Sequence, residues 1–184
     1  FKQSQKSGLL QPGFMALRPW EIRFVAGNQW DDVSLVWLQK RVNVHPDLWG
    51  GACWVAPYTG TSEFGDTIQG PLFYAAAPQE MGEAERTYTY GGVCGALSTS
   101  GSTAACAHGY PSYTCGQPGH CAYAYRVKRG DWRGGFGGPD GGPHNFIFDG
   151  EAPTMSRLME AAFADDAKVD RFVRLLATAR VAEA

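Results

Sequence analysis

Two patterns of hydrophobic and polar residues divide the first fifty positions of this sequence. Residues 20–25 alternate apolar and polar side chains with a period of two, which predicts a half-buried strand. The acidic pair at 31–32 can cap a helix in which Val33, Val36 and Trp37 recur at helical spacing on one apolar face. This part of the chain therefore predicts one strand followed by one amphipathic helix.

The strongest pattern lies between a double glycine and residue 130. Small and apolar residues over 93–107 predict a buried helix. A candidate strand at 112–115, a tight turn at 116–119 and a β-prone run at 120–127 come next. Arg129-Gly130 is typical of a hairpin turn, so that a further strand would return beside 120–127.

The remaining segments are less regular. Two short apolar segments in an aromatic, glycine-rich region, 52–56 and 71–76, predict irregular structure over one or two strands, and the stretch 134–143, with six glycines and two prolines, predicts a loop. The character of the chain changes near residue 150, which divides a core at 1–150, with its N-terminal arm, from a helical segment at 151–184. Candidate caps for two amphipathic helices in that segment are Thr154, Ser156, Asp165 and Asp166.

Composition bounds the class of protein. A length of 184 residues fits one domain, and the 18 acidic and 16 basic residues are scattered without the basic stripe that nucleic acids require. No apolar run approaches the ~20 residues of a membrane span, so we expect a soluble domain. Because the chain starts at Phe1 rather than at Met, we expect a processed product or part of something longer. Secretion, membership of a larger extracellular protein and the oligomeric state stay open.

One cysteine stands in a context that suits a nucleophile. The chain has five cysteines, an odd number, which leaves at least one thiol unpaired within the chain. Cys94 follows the double glycine Gly91-Gly92 and would begin the helix, where unpaired N–H groups favour a thiolate and can bind an oxyanion. His120 opens the β-prone run and can act as base and then as acid.

The same residues resemble a known pattern. The triplet Gly92-Val93-Cys94, the segment 107–111 (Ala-His-Gly-Tyr-Pro) and the segment 119–123 (Gly-His-Cys-Ala-Tyr) resemble, in that order, the motifs of transglutaminase-like and papain-like thiol enzymes. The resemblance covers about residues 88 to 135. It implies an α+β fold in which a helix bearing the cysteine packs on an antiparallel sheet bearing the histidine.

The resemblance also implies an activity. Cys94 would be the nucleophile and His120 the general base and acid of acyl transfer through a thioester, with a protein or peptide as substrate. Hydrolysis and protein cross-linking both stay open. The chemistry requires no metal or organic cofactor; some transglutaminases use calcium, but no EF-hand-like acidic loop is present in this sequence.

A third residue, an Asp or Asn on the next strand, orients the histidine in the resembled family. Continuing the strand pairing outward from Lys128 and Asp131 would put Pro139 opposite His120, which makes Asp140 the first candidate. The other candidates are Asn145, Asp149, His144 and Asp131. Candidate oxyanion donors outside the helix are the side chains of Gln69 and Trp54.

Three other interpretations compete with the catalytic one. Cys94 can be a buried small residue and His120 a strand-end histidine bound to a backbone carbonyl. The domain can be an inactive module for binding or structure that keeps the transglutaminase-like fold. A zinc site is the sharper alternative, although its spacings are irregular. Its candidate ligands are Cys106, His108, Cys115, His120 and Cys121.

Overall fold

Helices and a three-stranded antiparallel sheet make up the described part of the chain. The computed structural model describes residues 1–27, 30–117, 119–136 and 147–165. The helices are α1 (Lys2–Lys6), α2 (Pro19–Ala26), α3 (Asp32–Arg41), α4 (Glu83–Tyr90), α5 (Cys94–Ala107) and α6 (Ile147–Ala162), and the strands are β1 (Ser112–Gln117), β2 (His120–Lys128) and β3 (Asp131–Gly135). Short 3₁₀ segments occupy Phe14–Ala16 and Pro46–Val55. The fold is α+β, as the sequence predicted.

The sheet has the order β1-β2-β3, with both neighbouring pairs antiparallel. Gln117 pairs with His120 across the first connection, and Lys128 pairs with Asp131 across the second. Gly130 has a φ of 74°, which suits glycine in a tight turn. The strands predicted in this region and the turn at Arg129-Gly130 are confirmed, whereas β1 extends through Gly116 and Gln117, which had been predicted as part of the first turn.

Helix α5 packs on β1 and β2 and against the 3₁₀ segment Pro46–Val55. Its small residues permit a close approach, because a β-carbon at Gly101 would lie 2.6 Å from Cζ of Tyr123. The Tyr123 hydroxyl donates to the backbone carbonyl of Gly50 at 3.0 Å and so fastens β2 to the 3₁₀ segment. The predicted helix at 93–107 is confirmed, and it forms the centre of the main core.

Ala124 and Arg126 of β2 make contacts on the other side of the sheet, where α2 and α6 lie. Arg126 is 4% exposed and donates to Glu21 of α2 and, at 2.9 Å, to Glu160 of α6. Burial raises the pKa of Glu21, but hydrogen bonds from the Arg18 backbone and from Arg126 outweigh it and lower that pKa overall. One buried ionic group therefore joins two helices to the sheet.

The predicted strand at 20–25 is wrong, because this segment belongs to α2. Pro19 occupies the first turn of the helix, and the Arg18 N–H donates to the carboxylate of Glu21 three residues later. Glu21 and Val25, one helical turn apart, are the buried residues of α2. A charged residue, Glu21, therefore occupies a position on the inner face of α2 where a hydrophobic pattern would have an apolar residue.

Helix α3 is confirmed with a different buried face. Asp31 accepts a hydrogen bond from the Ser34 N–H at 2.7 Å and caps the helix as predicted. Leu38 is fully buried, whereas Val33 and Val36 are exposed. Packing against α4 and α5, rather than the local spacing of valines, sets which side of α3 faces inward.

The strands predicted at 52–56 and 71–76 are also wrong. The first segment lies mainly in the 3₁₀ segment Pro46–Val55, and the second forms turns. Trp49, Ala52 and Cys53 of the 3₁₀ segment are buried in the core beside α5 instead of pairing into a sheet.

Helix α6 begins earlier than predicted and includes Pro153. Ser156 is therefore no cap: its hydroxyl donates to the Ala152 carbonyl at 2.7 Å within the helix. The helix packs on β3 and β2 across the predicted division at residue 150. The second predicted C-terminal helix and most of the predicted glycine-rich loop lie outside the described residues.

In the part of the chain that the structure describes, no helix combines the length and apolar character needed to cross a membrane.

Candidate functional site

A glycine turn fixes the position of Cys94. Gly91 has a φ of 83°, and a β-carbon there would lie 2.3 Å from the Pro57 carbonyl oxygen, so that only glycine fits. The Gly92 N–H donates to that carbonyl at 3.2 Å, and the Gly92 carbonyl accepts from the Thr59 N–H at 3.0 Å. The turn is thereby anchored to the 57–59 segment, and Cys94 becomes the first residue of α5.

The helix start leaves its N–H groups open to a ligand. Val93 is the N-cap of α5 and makes no side-chain capping bond, whereas serine, threonine or aspartate would bind the first-turn N–H groups. These groups carry the positive end of the helix dipole. Cys94 is partly exposed beside them. A thiolate or an oxyanion at this position would meet donors that no side-chain cap occupies.

Burial separates Cys94 from other cysteines of the chain. Burial raises the pKa of Cys53 to about 11 and that of Cys106 to about 12, which suppresses the thiolate form of both. Burial, and then the nearby Cys94 thiol, raise the pKa of Cys121. Cys94, like Cys115 and Cys121, is partly exposed and so can meet groups from solvent, whereas Cys53 and Cys106 are buried.

The start of β2 lies level with the start of α5. The Ser98 hydroxyl donates to the Cys121 carbonyl at 2.9 Å, and Gly101, further along α5, lies against Tyr123, further along β2. The helix and the strand therefore advance in the same direction. A β-carbon at Gly95 would lie 4.0 Å from Sγ of Cys121, so the first turn of α5 adjoins the first residues of β2. Cys94 and His120 share this end.

The His120 ring belongs to an aromatic cluster at the same end. It lies edge-on against Phe136, with ring centroids 5.3 Å apart, and its Nε2 atom is buried. Phe136 also packs against Trp54 at 4.7 Å and Tyr58 at 6.4 Å. Tyr58 forms an isolated bridge with Gly92, so the cluster reaches from the histidine to the turn before Cys94.

Proximity at one end does not amount to a formed catalytic pair. No hydrogen bond joins Cys94 to His120, both of which lie in the described ranges. Cys121 is the β2 side chain that lies beside the first turn of α5, next to Gly95. Catalytic hydrogen bonds are often long without substrate and tighten in the reactive complex. The pairing of Cys94 with His120 therefore stays a prediction.

The third member of the site is not identified. Asp140, His144 and Asn145 lie outside the described residues, and Asp149 lies in the first turns of α6. Asp131 is bound to Arg133 at the opposite end of the hairpin, eight positions along the sheet from His120, or about 25 Å. It is too far away to orient the histidine.

The observed pairing of β2 with β3 also differs from the expected one. A bulge between Arg126 and Lys128 shifts the register, so that Tyr123 pairs with Gly135. Uninterrupted pairing from Lys128 and Asp131 would have put Phe136 there. Asp140 stays a prediction, but it was based on an uninterrupted pairing of β2 with β3, and the observed pairing is interrupted by the bulge.

The two additional oxyanion candidates lie on different sides of the cysteine. Trp54 belongs to the aromatic cluster through Phe136. Gln69 is exposed, although its neighbour Ile68 lies 3.6 Å from the position of a β-carbon at Gly92. Neither side chain is better supported as a donor to the oxyanion than the first-turn N–H groups of α5.

A cavity of about 340 Å³ opens beside the first turn of α5. A larger cavity, of about 680 Å³, lies between α2, β1 and the far half of α5 and includes none of the predicted catalytic residues. The smaller one adjoins Cys94 through Gly95 and Ala96 and contains Arg86 of α4. No motif in the sequence around Arg86 marked it as a site residue.

The zinc alternative finds no support. Cys106 lies near the end of α5, about 18 Å along the axis from Cys94, and its thiol donates to the Phe24 carbonyl at 3.1 Å. Nδ1 of His108 bonds to the Ala104 carbonyl at 2.9 Å at that same end. Within the described ranges, no group of three or more His, Cys, Asp or Glu side chains is arranged to hold a metal ion.

Comparison of the chain with protein-family models, with curated proteins and with solved structures found no match. The site must therefore be interpreted from its own residues.

Proposed function

We propose that this protein is a cysteine-dependent acyl-transfer enzyme of the transglutaminase-like type, which cleaves a carboxamide or peptide bond through a thioester on Cys94. The observation that carries the proposal is the position of Cys94: partly exposed, at a helix start without a side-chain cap, and at the same end of α5 and β2 as His120. A buried structural cysteine would have no need of any of these features.

Acylation uses both residues. His120 takes the proton of the Cys94 thiol as Sγ forms a bond to the carbonyl carbon. The carbonyl oxygen becomes an oxyanion, which the first-turn N–H groups of α5 can bind. The carbon–nitrogen bond then breaks, the nitrogen leaves with the proton from His120, and the acyl group remains on Cys94 as a thioester. Substrate binding must bring the two side chains within hydrogen-bond reach.

Deacylation decides the type of enzyme. Water or an amine attacks the thioester carbon and gives a proton to His120. The carbon–sulfur bond breaks, and the proton passes to the departing Cys94 sulfur. Water yields a carboxylic acid, so the enzyme is a protease or amidase. An amine yields a new amide, so the enzyme cross-links proteins.

One incubation separates these outcomes. The protein is mixed with an unfolded casein-like substrate and a biotin-labelled primary amine. Incorporation of biotin into the substrate indicates cross-linking, whereas new peptide termini or released ammonia without biotin indicate hydrolysis. Protein pretreated with iodoacetamide is the control and should lose either activity. The absence of both reactions over a broad set of substrates would favour a binding or structural module instead.

A further inference from the structure

Among the described residues that line the cavity near the start of α5, one, Arg86, is a cation. The walls of the cavity come from α4, from the first two turns of α5 and from the loops that precede α3 and α4. The lining residues are Trp30, Ile68, Tyr74, Glu83, Arg86, Thr87, Gly95, Ala96 and Thr99. Gly95 and Ala96 directly follow Cys94 in α5, but Cys94 itself does not line the cavity, so a substrate held there must extend around the first turn of the helix to reach the thiol.

Arg86 has hydrogen-bonding capacity that the described protein leaves unused. Its Nε atom is buried and has no acceptor among the described residues. One terminal nitrogen donates to the Gln79 carbonyl at 3.3 Å, and no carboxylate in the described ranges lies within ion-pair distance. Leaving a buried guanidinium donor unsatisfied is unfavourable. Because this atom is shielded from solvent, a ligand in the cavity would be held by the terminal nitrogens of Arg86.

The rest of the lining limits the charge and shape of such a ligand. Glu83, one turn before Arg86 on α4, is exposed and also lines the cavity, so a doubly charged anion would be repelled. Trp30, Ile68 and Tyr74 offer apolar surface. A volume of about 340 Å³ suits an amino-acid-sized group. The combination fits a carboxylate on a short apolar stem.

We propose that this cavity binds the carboxylate of the substrate's acyl portion through Arg86, and so selects acidic acyl groups for transfer to Cys94. This inference rests on the proposed function, because it assumes that the acyl group is attached at Cys94. The planar guanidinium can hold a carboxylate through two parallel hydrogen bonds, which would fix the direction of the chain that leads to the reacting carbonyl.

Two alkylating reagents of nearly equal size test the proposal. Iodoacetate and iodoacetamide both form a thioether with Cys94 and release iodide, but only iodoacetate carries a carboxylate. The rate of each reaction at Cys94 is measured by peptide mass spectrometry. Their ratio is compared with that of a small free thiol. In the wild-type protein the ratio should favour iodoacetate about threefold to fivefold more than in the free thiol, and the preference should fall with added salt.

Three variants isolate Arg86. Arg86→Met should lower the ratio to that of the free thiol, because the ratio cancels any effect of the substitution on the reactivity of the thiol itself. Arg86→Lys should keep most of the preference. Arg23→Met, which removes an exposed arginine from the larger cavity, should leave the ratio unaltered. An unchanged ratio in Arg86→Met would overturn the proposal.

A second measurement needs no variant that could misfold. Propionate should protect Cys94 of the wild-type protein from iodoacetamide, whereas propionamide at the same concentration should not. Equal protection by both, or protection by neither, would contradict a carboxylate site. The proposed function fails by a different result: an iodoacetamide rate at Cys94 that is no faster than that of the free thiol, whatever the charge preference.

Discussion

Replacing Cys94 by alanine is expected to lower the acyl-transfer rate by at least about a thousandfold, because the thioester cannot form without the sulfur. The few routes that remain would depend on binding and on the first-turn N–H groups of α5 alone. The measurement is amine incorporation or peptide release from the casein-like substrate, at equal concentrations of folded wild-type and variant protein. The small change at a partly exposed position should leave the fold intact.

Cys121→Ala is the matched control, since it removes the thiol that lies nearest to the first turn of α5. We expect this variant to retain activity within a few-fold. Loss of activity in Cys121→Ala, with activity preserved in Cys94→Ala, would show that Cys121 rather than Cys94 is the nucleophile.

Replacing Arg126 by methionine is expected to lower the free energy of unfolding by about 3–5 kcal/mol. The guanidinium is buried between the carboxylates of Glu21 and Glu160, and Glu21 is itself only 1% exposed. The variant would leave Glu21 as a buried charge without its closest partner. Urea unfolding, followed by tryptophan fluorescence, measures the change, which is a large part of the 5–15 kcal/mol of a typical domain.

Arg129→Met provides the comparison. Arg129 also contacts Glu21, at 3.4 Å, but its side chain is 55% exposed, so water already weakens this ion pair. We expect a loss below about 1 kcal/mol. Equal effects of the two substitutions would show that the buried contact does not stabilise the packing of α2 and α6 on the sheet.

The elements that could be predicted from the sequence are those with local causes. The helix at 93–107 follows from a double glycine and a run of small residues. The turn at Arg129-Gly130 follows from residues that favour it whatever surrounds them. The helix begins at Cys94, and the strand that leads into this turn begins at His120. Both candidate residues could therefore be selected from the sequence.

The elements that were missed depend on contacts across the chain. Glu21 can be buried in α2 only because Arg126, 105 residues later, supplies its counter-charge. A pattern that counts glutamate as exposed has a period of two over residues 20–25 and therefore predicts a strand there. The 3₁₀ segment Pro46–Val55 likewise depends on β2, through the Tyr123 hydroxyl.

The site shows the same division. Local motifs pointed to Cys94 and His120. Arg86 becomes a candidate site residue only because α4 packs beside the start of α5, which puts Arg86 on the lining of the same cavity as Gly95. Phe136 could not be foreseen as a neighbour of His120, because a bulge in the hairpin sets the register that brings it there. Asp140 depended on an uninterrupted register and shares that weakness.

The most direct test of the central claim is the rate at which iodoacetamide alkylates Cys94 at pH 6, in the wild-type protein and in His120→Ala. An ordinary thiol, with a pKa near 8.5, is less than about 1% thiolate at this pH. We predict that Cys94 reacts at least about tenfold faster than a small free thiol and that His120→Ala loses most of this advantage. A Cys94 that reacts no faster than the free thiol, and equally fast in both proteins, would contradict the account.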